Sequence, residues 1–359
     1  PCRFDRERFA VGATLFVFGL FKKIVMADGI SVHVSPLFDA AAHGTPMSLA
    51  TSWIAALGFT LQLYFDFSGY TDMALGLAQM FGVRLPPNFD SPLKARNIID
   101  FWLRWHLTLT RFLTAYLYNP LTLWLTRRRM ARGLKGLGGK NTTVGSFTTL
   151  LALPTLFTMC ISGLWHGAGY TFIFWGFLNG AYLTINHLWV HLTRTPLSKR
   201  PGLQRLNAVA APVLTFVCVV TAMVFFRAPT MISAWNIVHG MFGFNGIALP
   251  VNALERLGAL GPTLSHAGVA VAAFNRDFFP LLYWIAGLLL LALLAPNTQQ
   301  VLARYEPALG VETAAPYKTG PRLQLSWNMG LAWALAVSVI AAVGVAHVGG
   351  VSEFLYWQF

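Results

Sequence analysis

A single histidine stands in the middle of the longest uncharged part of this sequence. Residues 141–193 contain no Lys, Arg, Asp or Glu, and they include His166 within the stretch CISGLWHGAGYTFIFWG at 160–176. A membrane-spanning helix needs ~20 apolar residues, so His166 falls where a first span would end and a second begin. An ionisable ring at membrane depth marks a functional site by default. We predict that His166 faces a cavity; an interfacial histidine bonded to a backbone carbonyl is the alternative.

A second histidine lies in an aromatic segment at 98–126, which the sequence predicts to be helical. On a continuous helix, Trp102, His106 and Thr110 share one face, and Arg104 lies on a different one. An aromatic amphipathic helix of this kind suits an interfacial or re-entrant position. His106 is therefore either a second functional histidine or a snorkelling interfacial residue.

Two aspartates, Asp66 and Asp72, follow an uncharged span predicted at 40–65. Carboxylates near membrane depth either mark a polar pathway or pair with a basic residue of the bundle. A structural ion pair is the favoured interpretation, and the candidate partners are Lys22, Lys23 and Arg104.

The two lysines at 22 and 23 lie in the middle of a helix predicted at 9–34. Ammonium groups are costly at membrane depth unless they face a cavity or reach an interface. We favour an arrangement in which the second half of this helix lies in the interface.

Composition indicates an integral membrane protein built from helices. The chain of 359 residues is 55% hydrophobic and 11% charged, against ~25% charged in soluble domains. Its net charge of +13 is concentrated between apolar segments, above all at 127–140 and 194–205, which places those loops in the cytoplasm and indicates no nucleic-acid module. The run between them must then cross outwards and back, which puts His166 towards the outer side or at a re-entrant turn.

Further spans are predicted at 206–226, 278–303 and 323–352, with outer-face interfacial structure at 227–279 and an aromatic anchor in the tail EFLYWQF. We expect about seven to nine membrane-embedded helices in one domain covering residues 1–359, with no soluble domain. The chain begins with Pro1 rather than Met, so we expect it to be a fragment.

Common catalytic motifs are absent from the sequence. There is no G-x-S-x-G elbow and no H-E-x-x-H, and GLGGK at 136–140 lacks the spacing of a phosphate loop. The three cysteines suggest neither a disulfide framework nor a zinc site, and His187 and His191 have no third ligand, so they are interpreted as interfacial and no metal is expected.

Two kinds of function remain open from the residues alone. A histidine can act as general base at neutral pH, taking the proton from a hydroxyl as that oxygen attacks an activated acyl group. The histidines and aspartates also fit a proton-coupled transporter, in which they would act as relay groups.

Two long motifs carry a resemblance to a known family. They are WHGAGYTFIFWGFLNG at 165–180 and YFDFSGYTDMALGLAQMFGVRLPPNFDSPLKARNIIDFWLRWHLTLTRFLTAYLYNPL at 64–121, joined by FFRA at 225–228 and the closing EFLYWQF. With these motifs the chain resembles the membrane-bound O-acyltransferase (MBOAT) superfamily, in the branch of the bacterial alginate O-acetylation protein, over about residues 9–359.

The resemblance implies an all-α polytopic fold, a ring of tilted helices around a central funnel or tunnel, whose first helices would lie upstream of residue 1. It implies that His166, in the W-H-G motif, and His106, in the R-W-H motif, are catalytic. Trp102 and Trp165 would line the tunnel. Asp66 and Asp72 would line it too or, as we favour, hold the bundle together.

The resemblance also implies a function. The expected protein is an inner-membrane O-acetyltransferase that takes acetyl groups from a cytoplasmic thioester, either acetyl-CoA or a carrier-linked acyl group, and binds no tight cofactor. Its partners would be the lipid bilayer and a periplasmic acetyltransferase or a polysaccharide such as alginate. The alternatives are D-alanyl or other acyl transfer to a cell-wall polymer, and a non-catalytic component that translocates an acyl group or a polymer.

Overall fold

The computed structural model describes residues 4–138, 142–198, 200–271, 278–310 and 325–349, and only the backbone at 194–198. The helices are α1 (Arg6–Phe21), α2 (Asp28–Ala42), α3 (Leu49–Met80), α4 (Ile98–Trp102), α5 (Leu107–Leu113), α6 (Asn119–Ala131), α7 (Val144–Phe147), α8 (Leu153–His166), α9 (Tyr170–Ser198), α10 (Pro201–Arg227), α11 (Met231–Met241), α12 (Val251–Arg256), α13 (Leu260–His266), α14 (Phe278–Leu294), α15 (Thr298–Val301) and α16 (Leu331–Ala346). Within the described ranges, strands are limited to the parallel pair β1 (Ala248–Leu249) and β2 (Ala270–Val271). The predicted all-α class is confirmed.

Short π-helical segments join several of these helices into longer rods. They are Lys22–Ala27 between α1 and α2, Thr114–Tyr118 between α5 and α6, and Thr148–Ala152 between α7 and α8. Three described rods are long and apolar enough to cross a membrane: Arg6–Ala42, Val144–His166 and Pro201–Arg227. Helices α14 and α16 are apolar but shorter. The predicted total of seven to nine membrane-embedded helices stays a prediction.

Residues 1–91 with 232–359 form one compact unit, and residues 92–231 form another. The expected single domain over residues 1–359 stays a prediction.

In the first unit, α1 and α3 pack antiparallel through paired glycines. A methyl group on Gly12 would lie 2.6 Å from the carbonyl oxygen of Gly76, and one on Gly69 would lie 2.7 Å from that of Gly19. Small residues spaced seven apart let two membrane helices approach until their backbones touch. This close approach brings the lysines that follow α1 against the aspartates of α3.

The aspartates of α3 are held in buried ion pairs. The ammonium nitrogen of Lys22 lies 2.6 Å from a carboxylate oxygen of Asp72, and that of Lys23 lies 2.6 Å from Asp66 and 2.7 Å from Asp28. Asp66 and Asp72 are only 1% and 2% exposed. The predicted ion pairing with Lys22 and Lys23 is confirmed. Both ammonium groups face carboxylates inside the protein, and the Lys23 side chain is 9% exposed. The favoured placement of the second half of this helix in the interface stays a prediction.

The Asp72 carboxylate also accepts two hydrogen bonds from α15. The hydroxyl of Thr298 donates over 2.6 Å, and the amide of Gln299 donates over 2.8 Å. Charged groups buried away from water are stable only when paired and hydrogen-bonded, and this carboxylate meets both conditions. The interaction therefore fastens α15 to α3.

Loss of the Asp72 carboxylate alone leaves the Lys22 ammonium without its charge partner, with the Thr298 hydroxyl as its remaining described contact. We expect Asp72→Leu to lower the free energy of unfolding by ~3–5 kcal/mol, and Lys22→Met combined with Asp72→Leu to recover most of that loss. Unfolding of the purified protein in micelles by SDS or heat measures both. The control is Arg84→Gln, which breaks an exposed pair with Glu306 and costs ~1 kcal/mol or less. An Asp72→Leu loss no larger than the control's would contradict the prediction.

Three predicted boundaries are wrong for local reasons. The span at 40–65 begins nine residues later, at α3, because residues 43–48 form a turn through Gly44 and Ser48 caps the new helix. The span at 278–303 ends with α14, just before Pro296. In the described part of the span predicted at 323–352, residues 325–349, the helix is α16, which begins at Leu331. The two ends of that span and the tail at 353–359 lie outside the described residues.

Candidate active site

The predicted hairpin around His166 is present in the second unit. Helix α8 ends at His166, Gly167 is its C-cap, and α9 begins three residues later at Tyr170. Two glycines bring the helices together: a methyl group on Gly163 would overlap the carbonyl of Phe172, and one on Gly176 would overlap that of Met159. His166 is therefore held at the end of a tightly packed helix pair.

Aromatic rings from three helices surround His166. Its ring centroid lies 4.9 Å from that of Trp165, 5.2 Å from that of Trp175 on α9, and 5.1 Å from that of Phe226 on α10. The interplanar angles are 68°, 87° and 75°, so all three contacts are edge-to-face. Such contacts fix the orientation of the imidazole, and aromatic faces also stabilise a cation. We call Trp165, Trp175 and Phe226 the aromatic cluster.

Two members of the aromatic cluster were missed by the sequence reasoning. Trp175 and Phe226 lie 9 and 60 residues beyond His166, so helix spacing alone cannot bring them to it. The available signal was their place in the motifs WHGAGYTFIFWG and FFRA. Trp165 was predicted to line a tunnel; its ring contacts His166 and is 59% exposed.

His106 lies at a break in the helix predicted at 98–126. The chain leaves α4 after Trp102 and enters α5 at Leu107, and His106 has left-handed backbone angles of φ 46° and ψ 55°. That conformation costs a non-glycine residue of order 1–3 kcal/mol and is concentrated at functional sites. The prediction of one continuous helix, with Trp102, His106 and Thr110 on one face, is wrong.

Asp100, in α4, bonds to residues on both sides of it just before this break. The carboxylate of Asp100 accepts hydrogen bonds from the Arg104 guanidinium over 2.9 Å and from the Arg96 backbone N–H over 2.9 Å. Burial by itself would raise the pKa of Asp100, but these donors outweigh it and the pKa lies below its usual value. Arg104, a candidate partner for Asp66 and Asp72, is therefore paired with Asp100.

Trp165 connects the two histidines. Its ring centroid lies 6.5 Å from that of His106 and 4.9 Å from that of His166. His106 is 9% exposed, and burial lowers its pKa to about 4 because a charged imidazolium is poorly solvated there. At neutral pH its ring is uncharged, so one nitrogen can accept a hydrogen bond while the other donates one.

Burial of neutral His106 makes stability depend on pH. Between pH 6.5 and about 4 the unfolded chain binds a proton at this residue and the folded chain does not, so acidification favours unfolding. We expect the free energy of unfolding to fall by up to ~1.4 kcal/mol per pH unit from this group, and His106→Asn to lack that component.

Thermal unfolding midpoints at pH 7 and pH 4.5 measure the effect. Asparagine is suitable because it tolerates left-handed backbone angles. His191→Gln, at an exposed histidine of α9, should retain the wild-type pH dependence. Equal pH dependence of His106→Asn and wild type would overturn the assignment.

The structure describes no metal site. Among the described residues, no group of three or more His, Cys, Asp or Glu is arranged to hold a metal ion. His187 lines a cavity together with Trp102 and Thr158, and its predicted interfacial position stays a prediction. The expectation that neither metal nor tight cofactor is needed stays a prediction.

A half-buried histidine, His166, at the end of a helix of membrane length, with the buried His106 one aromatic ring away, defines a two-histidine site. The helices of membrane length make this a multi-pass membrane protein.

Comparison with known proteins identifies the family. Residues 3–134, which include His106, match the model for MBOAT, the membrane-bound O-acyltransferase family. A peptidoglycan O-acetyltransferase of Helicobacter pylori is 40% identical over 243 residues, which are 68% of this chain and 41% of the relative. A probable alginate O-acetylase AlgI of Azotobacter vinelandii is 34% identical over 275 residues, 76% of this chain and 48% of the relative. This chain belongs to the MBOAT family.

A third relative is more distant. A teichoic acid D-alanyltransferase of Bacillus subtilis is 25% identical over 166 residues, 46% of this chain and 38% of the relative. The chain thus spans about half or less of the length of the curated relatives it matches. The predicted resemblance to the MBOAT superfamily and its alginate branch is confirmed.

Proposed function

We propose that this chain is an O-acyltransferase of the bacterial inner membrane that moves acetyl groups from a cytoplasmic thioester to a hydroxyl of an exported or cell-wall polysaccharide. The observation that carries the proposal is the position of His166, at the tip of the α8–α9 hairpin and oriented by the aromatic cluster. The relatives named for O-acetylation of alginate and of peptidoglycan support a glycan hydroxyl as the acceptor.

In the proposed reaction, a ring nitrogen of His166 accepts the proton of the acceptor hydroxyl as its oxygen attacks the thioester carbonyl. A new C–O bond forms, the C–S bond breaks, and the departing sulfur takes the proton back from the imidazolium. The aromatic cluster stabilises the transient cation. His106 orients the donor or relays the proton, and its neutral ring permits both roles.

The proposal also includes the side of the membrane from which the donor and the acceptor each approach. The basic residues at the end of α6, among them Arg127, Arg128 and Arg132, favour a cytoplasmic position for that end. A thioester donor, either acetyl-CoA or a carrier-linked acyl group, would then approach from the α6 end. The acceptor, a polysaccharide or a periplasmic acetyltransferase, would approach from the other.

Translocation without chemistry is less well supported. A proton-coupled carrier needs carboxylates that change partners, whereas Asp66 and Asp72 are fixed by Lys23 and Lys22. D-alanyl transfer has the support of relatives at 25% and 28% identity that match less than half of the chain.

One experiment separates these functions. The protein in lipid nanodiscs is incubated with acetyl-CoA carrying a labelled acetyl group and with an alginate or peptidoglycan oligosaccharide, and acetyl esters are quantified by mass spectrometry. The proposal expects protein-dependent ester on the oligosaccharide. Passage of label into proteoliposomes without any ester would favour translocation and contradict the proposal.

A further inference from the structure

A cleft of about 640 Å³ lies between α9 and α10, within the second unit. Most of its lining belongs to one face of each helix, because the lining residues recur at intervals of three and four, from Tyr182 to Trp189 on α9 and from Asn207 to Cys218 on α10. No Asp, Glu, Lys or Arg belongs to its described lining. We call it the α9–α10 cleft.

The α9–α10 cleft opens towards the hydrocarbon of the membrane. Its lining residues Ile185 and Leu214 are each 64% exposed, and the small side chains of Ala210 and Ala211 leave room between the two helices. Helix α10 is long and apolar enough to cross a membrane, so its exposed apolar side chains face lipid. A ligand of this cleft is therefore itself apolar over most of its length.

One end of the cleft lies at the level of the membrane–water interface. There the indole N–H of Trp189 donates to the side-chain oxygen of Asn207 over 3.3 Å, and tryptophan is enriched at that level of the bilayer. Along the α10 axis, Asn207 and Cys218 are ~16 Å apart. The hydrocarbon of one leaflet is ~15 Å deep, half of the bilayer core, so the cleft has the length of one acyl chain of a phospholipid.

Positive charge lies just beyond that end. The sequence at 194–205 contains four basic residues and no acidic one. Among them, the exposed Arg200 is the N-cap of α10 and stands seven residues before Asn207, which places it two turns beyond the cleft in the direction of the same helix face. Basic groups at the cytoplasmic ends of membrane helices bind anionic headgroups. The order of charge, polar groups and apolar surface thus matches that of an anionic phospholipid.

We propose that the α9–α10 cleft binds one anionic phospholipid, with the phosphate at Arg200 and one acyl chain along the cleft as far as Cys218. The amide of Asn207 supplies N–H donors at the level of the ester carbonyls. A zwitterionic phospholipid offers the same chain but brings its own positive charge next to the basic end, so it binds less tightly. This inference does not depend on the proposed acyl transfer.

Lipid binding to the purified protein tests the headgroup. The protein in micelles is stripped of lipid and titrated with phosphatidylglycerol or with phosphatidylcholine of the same acyl chains, and bound lipid is counted by native mass spectrometry. We expect one tightly bound phosphatidylglycerol per chain. Arg200→Gln should weaken its binding about fivefold, the value of one basic group next to anionic lipid, and should leave phosphatidylcholine unchanged.

Arg205→Gln is the matched control for the headgroup. Arg205 is also exposed, but it stands two residues before Asn207 and so lies on a different face of α10. The same substitution there should change the binding of phosphatidylglycerol less than twofold.

A bulky side chain inside the cleft tests the position of the acyl chain. Ala211→Trp places an indole in the space that the chain takes, and we expect it to weaken the binding of both lipids at least ~tenfold, because the two groups would overpack one site. Val209→Trp introduces the same side chain at a residue that is 69% exposed and outside the cleft lining, and it should bind both lipids as wild type does. Without lipid, both variants should unfold at the wild-type temperature.

Three results would overturn the proposal. Equal binding of the two lipids to wild type, or a loss in Arg200→Gln no larger than in Arg205→Gln, would refute an anionic headgroup site. Phosphatidylglycerol that binds Ala211→Trp and Val209→Trp alike lies outside the cleft. Should Ala211→Trp unfold at a lower temperature without lipid, the comparison of Arg200→Gln with Arg205→Gln decides, because it changes exposed side chains alone. None of these measurements uses an acyl donor, so a negative result leaves the proposed acyl transfer standing.

Discussion

Replacement of His166 by glutamine is expected to lower kcat for acetyl transfer by ~10²–10⁴-fold, the usual contribution of a general base. Glutamine retains a hydrogen-bonding group of similar reach but cannot carry a proton from the acceptor hydroxyl to the leaving sulfur. The aromatic cluster already holds the ring edge-to-face on three sides, so the substitution alters chemistry more than packing. The effect should appear in kcat at saturating donor.

Transfer is measured as acetyl ester formed per mole of protein, at matched amounts of folded protein in nanodiscs. The control is His191→Gln, the same chemical change at an exposed histidine of α9, which should retain wild-type kcat. If His166→Gln transfers acetyl at the wild-type rate, the enzyme assignment is refuted and a translocation role becomes the better hypothesis. A loss in His166→Gln with wild-type kcat in His106→Asn would make His106 a structural residue.

The position of His166 was predictable because it depends on local properties of the chain. An uncharged run of two spans, with glycines at 163, 167 and 169 near its middle, places a turn beside the histidine. The ion pairs of Lys22 and Lys23 were also predictable, since a buried charge must have a partner. The sequence did not indicate that α3 continues past both aspartates to Met80. A membrane helix can include these carboxylates because lysines from another part of the chain neutralise them, and a sequence does not show that pairing.

The break at His106 was not predictable from local propensity. Leu103, Arg104, Trp105 and His106 include no glycine or proline, so the segment looks like the interior of a helix. The one tertiary contact among those of this segment described here is between the rings of His106 and Trp165 of α8, and it accompanies the left-handed conformation. The pairing of Arg104 with Asp100 and the stacking of Trp105 on Phe101 at 5.7 Å are contacts between residues four apart, which a continuous helix also allows. The aromatic cluster was not predictable from residue spacing either, because its rings come from three different helices.

A single methyl group at Gly163 is expected to disrupt the hairpin that presents His166. In Gly163→Ala the new methyl would overlap the carbonyl carbon and oxygen of Phe172, which belong to backbone and cannot rotate away. Overpacking typically costs 1–3 kcal/mol, and here relief requires separating α8 from α9. Because His166 follows Gly163 by three residues, we expect both a lower free energy of unfolding and an at least tenfold loss of acetyl transfer in the protein that still folds.

Gly287→Ala is the matched control, since Gly287 also lies inside an apolar helix, α14, and has no atom within 4 Å of the position that a methyl group would take. At that site alanine should stabilise the helix by up to ~1 kcal/mol, through its higher helix propensity. The two substitutions are chemically identical and should change stability in opposite directions. Unfolding by SDS and the acetyl-ester assay measure both effects. Unchanged stability and transfer in Gly163→Ala would mean that α8 and α9 are not packed at backbone contact, and the site built on that packing would have to be abandoned.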